Sequence, residues 1–222
     1  MGQSWENLAF LHWPVDRAAL ARVLPPQIEP DEFDGSAWVG VTPFEVRSFR
    51  LRNTLPVPVV SSFPEINVRT YVTRDDKPGI WFMSLDAGSR FAVHAARRAY
   101  RLPYHRARIG VRARNGEVDY ASRRIGGDAA FTGRYRPVAP VREAQPGSFE
   151  HFAAERYCLY ALAGDRVMRA DIHHRPWPIQ AAEAELSANT MARPYGIDLG
   201  GVPRVHFARK LDVVIWSLEP DD

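Results

Sequence analysis

Cysteine is nearly absent: Cys158 stands alone in 222 residues, which excludes an internal disulfide and a thiolate cage for zinc. Lysine is almost as scarce, with Lys77 and Lys210 the only two among 29 basic residues. No apolar run approaches the roughly 20 residues that a membrane-spanning helix needs, so no membrane contact is expected. The opening MGQSWENLAFLHWPV has no basic stretch leading into an apolar one, and Glu6 stands where a myristoylation signal wants Ser or Thr. A cytoplasmic protein is the expectation.

Charge of one sign is also lacking. The 29 basic side chains face 26 acidic ones, and the pI near 9.2 reflects the high intrinsic pKa of arginine rather than a large positive excess. The clusters Arg97-Arg98 and Arg106 to Arg114 are broken by apolar residues and lack the aromatic spacing of a base-stacking platform, so no nucleic-acid partner is expected. A phosphate loop, a dinucleotide-binding G-x-G-x-x-G after a strand and a G-x-S-x-G nucleophile elbow are all missing from the sequence, which removes nucleotide and esterase chemistry.

What is present is a core former, 45% hydrophobic and 11% aromatic, without repeats or a linker, read as one domain over 1–222. A short strand is expected around Leu8 to His12, then a helix from Asp16 to Leu24 stopped by Pro25-Pro26. Strands follow over Ala37 to Val46, Pro64 to Val72 and Ile80 to Leu85. Ser89 to Tyr100 reads as a helix whose apolar stripe includes Phe91, Ala92, Ala95, Ala96 and Ala99. Beyond it come a hairpin turned at Asn115-Gly116, a helix capped by Ser148, and strands over Tyr157 to Ala163, Arg166 to His174 and Val205 to Leu218. The expected fold class is α+β, a mostly antiparallel β-barrel or sandwich with two or three short helices.

The segment PEINVRTYV separates its side chains by alternation: Ile66, Val68 and Val72 on one face, Glu65, Asn67, Arg69 and Tyr71 on the other. The polar face belongs either in water, as on an ordinary sheet, or inside a barrel as the orienting groups of a small-molecule pocket. A second concentration of ionisable groups is ARRAYRLPYHRARI, where Tyr104 and His105 follow a proline stop, and a histidine can move protons near neutral pH. Asp171 to Gln180, DIHHRPWPIQ, offers one histidine per strand face; even with His206 or Glu155 as a third ligand this is a poor zinc pattern, and no metal is expected. Trp177 reads as a core or rim plug and Cys158 as an inert buried thiol.

FLHWPV, FDGSAWVGVTPF, FPEINVRTYV, GIWFMSLDA, the LPY of RLPYHRARI, PGSFEHFAAERYCLY, IHHRPWPIQ and HFARKLDVVIW occur in order from Phe10 to Trp216. Together they resemble the YqjF-like proteins, a family of unassigned activity whose resemblance implies an acetoacetate decarboxylase-like β-barrel. Fold does not give function. Acetoacetate decarboxylases carry G-R-E-x-x-x-Y-P-K-K, in which one lysine forms a Schiff base and the next lowers its pKa. Laid on Ala96 to His105, that pattern puts its arginine on Arg97, its proline on Pro103 and its two lysines on Tyr104 and His105. Imine chemistry is therefore not implied, while Glu65 falls near an acidic residue of that site.

The reading at this stage is a small-molecule-binding barrel, uncertain as an enzyme. As an enzyme it would be lyase- or isomerase-like, acting on a small oxo acid or enolisable carbonyl compound without a Schiff-base lysine or an organic cofactor. His105, Tyr104 and Glu65 are the candidate catalytic residues; Arg69, Asn67, Arg97 and Tyr71 are the candidate contacts to a carboxylate-bearing ligand. The alternatives are a non-catalytic binding protein and a structural barrel, including a homo-oligomer. Tyr104 and His105 are adjacent on a strand, so only one of them can face a given cavity.

Overall fold

The computed structural model describes residues 1–50 and 61–221; the side chains of Ala95, Ala96 and Ala99 lie outside the described residues. Among the described residues fourteen strands form one sheet: β1 (Gly2–Val15), β2 (Glu29–Pro30), β3 (Glu32–Phe33), β4 (Ser36–Arg50), β5 (Phe63–Arg74), β6 (Lys77–Ala87), β7 (Tyr104–Arg114), β8 (Glu117–Arg124), β9 (Ala130–Pro137), β10 (Cys158–Ala163), β11 (Arg166–His174), β12 (Ile179–Asn189), β13 (Arg204–Ile215) and β14 (Glu219–Pro220). Helices α1 (Arg17–Ala21), α2 (Arg90–Tyr100) and α3 (Phe149–Ala154) are short.

Seven strands close on themselves. In the order β5, β6, β10, β11, β13, β1, β4 each pairs with the next, and β4 returns to β5. Strands β7, β8, β9 and β12 bridge from β6 to β13 outside this ring. Among the described residues only the β6–β10 and β6–β7 pairings are parallel, as expected for a mostly antiparallel α+β barrel.

All seven ring strands send side chains to one cluster, including Phe10, Phe44, Phe63, Ile80, Leu159, Ile172 and Leu211; that cluster is the inside. The opposite faces of β1, β4 and β5 carry Leu11, Val41, Ile66 and Val68, which pack with Tyr120, Phe131 and Tyr135 of the bridging strands. These central strands are buried on both sides, which removes the solvent-facing side a half-buried strand would have. Asn115 and Gly116 both adopt positive φ, 52° and 82°, the backbone a two-residue hairpin between β7 and β8 needs.

Helix α2 is capped by Ser89, whose hydroxyl accepts from Ala92 N at 3.2 Å. Its described buried face is Ala92, Val93 and Tyr100; Phe91 is 59% exposed and does not belong to the inward stripe expected of it. Ser148 likewise caps α3 by accepting from His151 N, and α3 lays Phe149 and Ala153 against Trp38 and Tyr71. The first strand is longer than its short apolar signal, α1 is only five residues, and β9 and β12 have no counterpart in the sequence reading.

Candidate functional site

Register partners share a side of a sheet, and this fixes where the polar face of β5 points. Glu65 pairs with Phe44 and Ala87, Asn67 with Leu85, Arg69 with Phe82 and Tyr71 with Ile80; every one of these partners lies in the inner cluster. Glu65, Asn67, Arg69 and Tyr71 therefore point into the ring, and all four are buried. The water-facing alternative for this strand does not hold.

At one end of the row, Tyr104 is the register partner of Leu85 and its hydroxyl donates to Glu65 Oε2 at 3.0 Å. Tyr120 donates to the Glu65 carbonyl at 2.8 Å, fixing the strand at that residue. Burial pushes the Glu65 carboxyl up to about 8, against the Tyr104 hydrogen bond and with help from the Asp86 charge. The group therefore holds its proton at neutral pH. Burial, with Glu65 as neighbour, also raises the Tyr104 phenol well above its ordinary value.

His105 does not join them. It pairs with Asp86, which pairs with Ile66 of the outer core, so its side chain is on the far side of the wall from Glu65. There Arg124 grips Asp86 through Nε–Oδ2 and Nη2–Oδ1 contacts of 2.9 and 2.7 Å. Burial first, then Arg124, holds the His105 imidazole below its usual value, with Asp86 opposing. Arg97 is corrected too: it is exposed on α2, and its Nε donates to the Tyr104 carbonyl at 2.6 Å. It braces the start of β7 from outside.

At the other end is a residue the sequence reading passed over. His12 of β1 pairs with Gly40, which pairs with Arg69, and its Nε2 lies 2.6 Å from Tyr71 Oη. A Cβ on Gly40 would come within 3.1 Å of the His12 ring and 3.5 Å of Arg69 Cγ, so the bare backbone is what lets both side chains lie over β4. The Arg69 guanidinium sits 4.9 Å from the Phe10 ring centre. The signal in FLHWPV was a lone imidazole continuing the inward alternation of Leu8 and Phe10.

Hydrogen bonding in this interior is unfinished. Arg69 Nε and Nη2, His12 Nδ1, Thr42 Oγ1 and Asn67 Oδ1 are buried without a partner among the described residues. Thr42 is the register partner of Asn67, so these atoms belong to adjacent positions on one inner surface. Arg156 has Asp31 at 2.6 Å, but among the described residues no carboxylate pairs with Arg69. Burial, and then the charges of Arg69, His206 and Arg204, hold His12 well below its ordinary pKa and hence neutral.

The pairing on the far side of β6 is interrupted between Trp81 and Leu85. Strands β6 and β10 pair only at Leu159–Ile80 and Tyr160–Trp81, and a cleft of about 280 Å³ lies where they part, lined by Phe82, Met83, Leu102 and Ala161 among others. Phe82 is Arg69's own cross-strand partner. A larger cleft, about 720 Å³, lies on the outer strands around Gly110, Ala121, Thr132 and Gly133, away from β5. The lysines are elsewhere: Lys77 and Lys210 are 43% and 56% exposed and pair with Asp171 and Glu6. Among the described residues no group of three or more His, Cys, Asp or Glu is arranged to hold a metal. No described helix is long and apolar enough to cross a membrane.

Solved structures share the fold. The enduracididine biosynthesis enzyme MppR, in its complex with pyruvate, superposes with a TM-score of 0.70 at 12% identity, covering 99% of this chain and 89% of that one. An acetoacetate decarboxylase-like enzyme from Sphingomonas wittichii RW1 gives 0.64 at 15% identity over 99% and 92% of the two chains. The acetoacetate decarboxylase of Legionella pneumophila gives 0.63 at 12% identity over 99% and 88%. In sequence, the uncharacterized protein YqjF of Bacillus subtilis (strain 168) is 41% identical over 220 residues, 98% of this chain and 91% of that one. The family profile of DUF2071, an uncharacterized conserved protein, matches residues 2–212, and the chain belongs to that family.

Proposed function

We propose that the protein binds a small carboxylate-bearing carbonyl compound, such as an oxo acid, inside the seven-strand ring. One observation carries this: Arg69 is 3% exposed yet leaves two N–H groups without acceptors among the described residues. A guanidinium stays charged in a protein, and burying it unpaired costs on the order of several kcal/mol. A ligand carboxylate is the acceptor that two adjacent guanidinium N–H groups match best. The cleft between β6 and β10 is the way in. The pyruvate complex of MppR supports an oxo acid as ligand for the shared fold.

The chemistry follows from the proton held by Glu65. A neutral carboxyl beside a phenol can donate to a carbonyl oxygen and stabilise the enol that forms as solvent water takes the proton from the adjacent carbon, Glu65 regaining its proton when the carbonyl re-forms. Neither lysine is near the ring interior, so no imine is involved. That same fact favours a second reading, a barrel that binds and does not catalyse. Proton NMR of pyruvate, longer oxo acids and enolisable ketones in D2O separates the two. Deuterium wash-in at the α-carbon, lost with Glu65→Gln while binding persists, supports the enzyme. Saturable binding without wash-in supports the binder, and neither binding nor exchange overturns both.

A further inference from the structure

The Arg69 guanidinium, a donor only, lies beside Tyr71 with its carbon 5.8 Å from the phenol ring centre, and its positive charge turns the phenol oxygen toward it and the hydroxyl hydrogen away. A buried phenol also needs an acceptor for its own hydrogen, and the group 2.6 Å away is His12 Nε2. Tyr71 therefore donates to Nε2, and in the neutral imidazole the proton resides on Nδ1. That N–H is buried and has no acceptor among the described residues. Among the described residues His12 Nδ1–H, Arg69 Nε–H and Arg69 Nη2–H thus form a set of three unanswered donors on the strands either side of Gly40, with the unpaired Asn67 Oδ1 and Thr42 Oγ1 two positions further on.

We infer that His12 contacts the ligand directly, its Nδ1–H donating to the carboxylate that Arg69 holds. The inference rests on the reading of Arg69 given above and extends it by assigning a residue and a direction. The carboxylate lies at the His12–Tyr71 end of the site. The reacting carbonyl extends past Asn67 toward Glu65, four residues and roughly 13 Å of strand away between Cα atoms. Arginine and glutamate side chains cover only part of that span. Oxo acids whose carbonyl is separated from the carboxylate by two or more carbons therefore reach both ends better than pyruvate does.

The test is calorimetric titration with pyruvate, 4-oxopentanoate and 5-oxohexanoate on the whole protein and on His12→Asn, His12→Gln and Arg69→Met. Asparagine places an N–H where Nδ1 stood, whereas glutamine reaches the Nε2 position and keeps the Tyr71 contact. A ligand contact predicts that His12→Gln weakens binding roughly ten- to hundred-fold, as for a lost hydrogen bond to a charged group, and that His12→Asn restores much of it. A role confined to holding Tyr71 predicts the reverse order and overturns the inference. Equal affinity for pyruvate and the longer acids overturns the assigned direction. Binding lost in Arg69→Met but untouched in both His12 variants leaves the Arg69 reading standing and removes His12. No binding by the unsubstituted protein removes both. Should the variants fail to fold, nitrogen NMR of the unsubstituted protein decides: the His12 Nδ1 resonance shifts on adding the acid if the contact exists and stays in place if it does not.

Discussion

The Tyr104 hydroxyl reaches over β6 to donate to Glu65 Oε2 at 3.0 Å, and the next residue, His105, lies on the other side of the same wall beside Asp86. One residue of register decides which of the two can meet a ligand. Glu65 and Tyr104 form the acid end of the interior, Arg69 and His12 the donor end, and the consequences of that division can be measured.

Glu65→Gln should flatten the dependence of stability on pH. Its folded pKa, about 8, lies above the ordinary carboxylate value, so the folded state binds the extra proton between the two. Stability is therefore fully present below the unfolded pKa near 4.3 and is lost as pH rises toward 8. The variant has no such proton to lose. Urea midpoints should show it gaining on the parent by a few kcal/mol, roughly, between pH 4.5 and 8. A parallel decline in the two proteins would contradict the raised carboxyl.

Asp86→Ala should be among the most damaging single changes. It leaves Arg124, whose side chain is only 7% exposed, without its carboxylate in a closed space. Breaking such a pair costs about 3–5 kcal/mol, to be read from urea unfolding. A loss below 1 kcal/mol, about the worth of an exposed ion pair, would mean that water reaches the pair.

Gly40→Ala should impair binding more than folding. The added Cβ meets the His12 ring at 3.1 Å, so the imidazole must shift away from its place beside Arg69. Overpacking of this kind costs about 1–3 kcal/mol, and the stabilisation given by carboxylates in a thermal-shift assay should fall with it. Undiminished ligand stabilisation would show that the His12 position is not used.

Incubation with pyruvate and cyanoborohydride should leave the protein's mass unchanged. Both lysines are on the outside and ion-paired with Asp171 and Glu6, away from the ring interior where an imine-forming lysine would have to meet the bound carbonyl. A reduced adduct mapped to Lys77 or Lys210 by mass spectrometry would refute chemistry without an imine.

Much of this was legible in the sequence because alternation reports faces directly. PEINVRTYV declared a polar face at Glu65, Asn67, Arg69 and Tyr71, and the family motifs from Phe10 to Trp216 supplied the closed sheet that turns that face inward. What alternation cannot report is which strand lies opposite. His12 is 59 residues from Tyr71 and Asp86 is 38 from Arg124, and neither pair leaves a local pattern. The same limit put His105 and Arg97 into the candidate set. Proximity along ARRAYRLPYHRARI suggested a cluster, whereas the strand sends neighbours to opposite sides and the helix keeps Arg97 outside. Strands β9 and β12 escaped because exposed, charged positions dilute their periodicity.

Arg69→Met tests the central claim most directly, since it keeps an unbranched stem and removes the guanidinium. Without ligand the variant should be the more stable protein, by about 1–4 kcal/mol if the buried charge is as costly as replaced buried ion pairs have been. Calorimetry should then show a small carboxylate-bearing carbonyl compound binding the parent and binding Arg69→Met at least ten-fold more weakly. A variant that is less stable than the parent and binds the same compounds equally well would contradict the account.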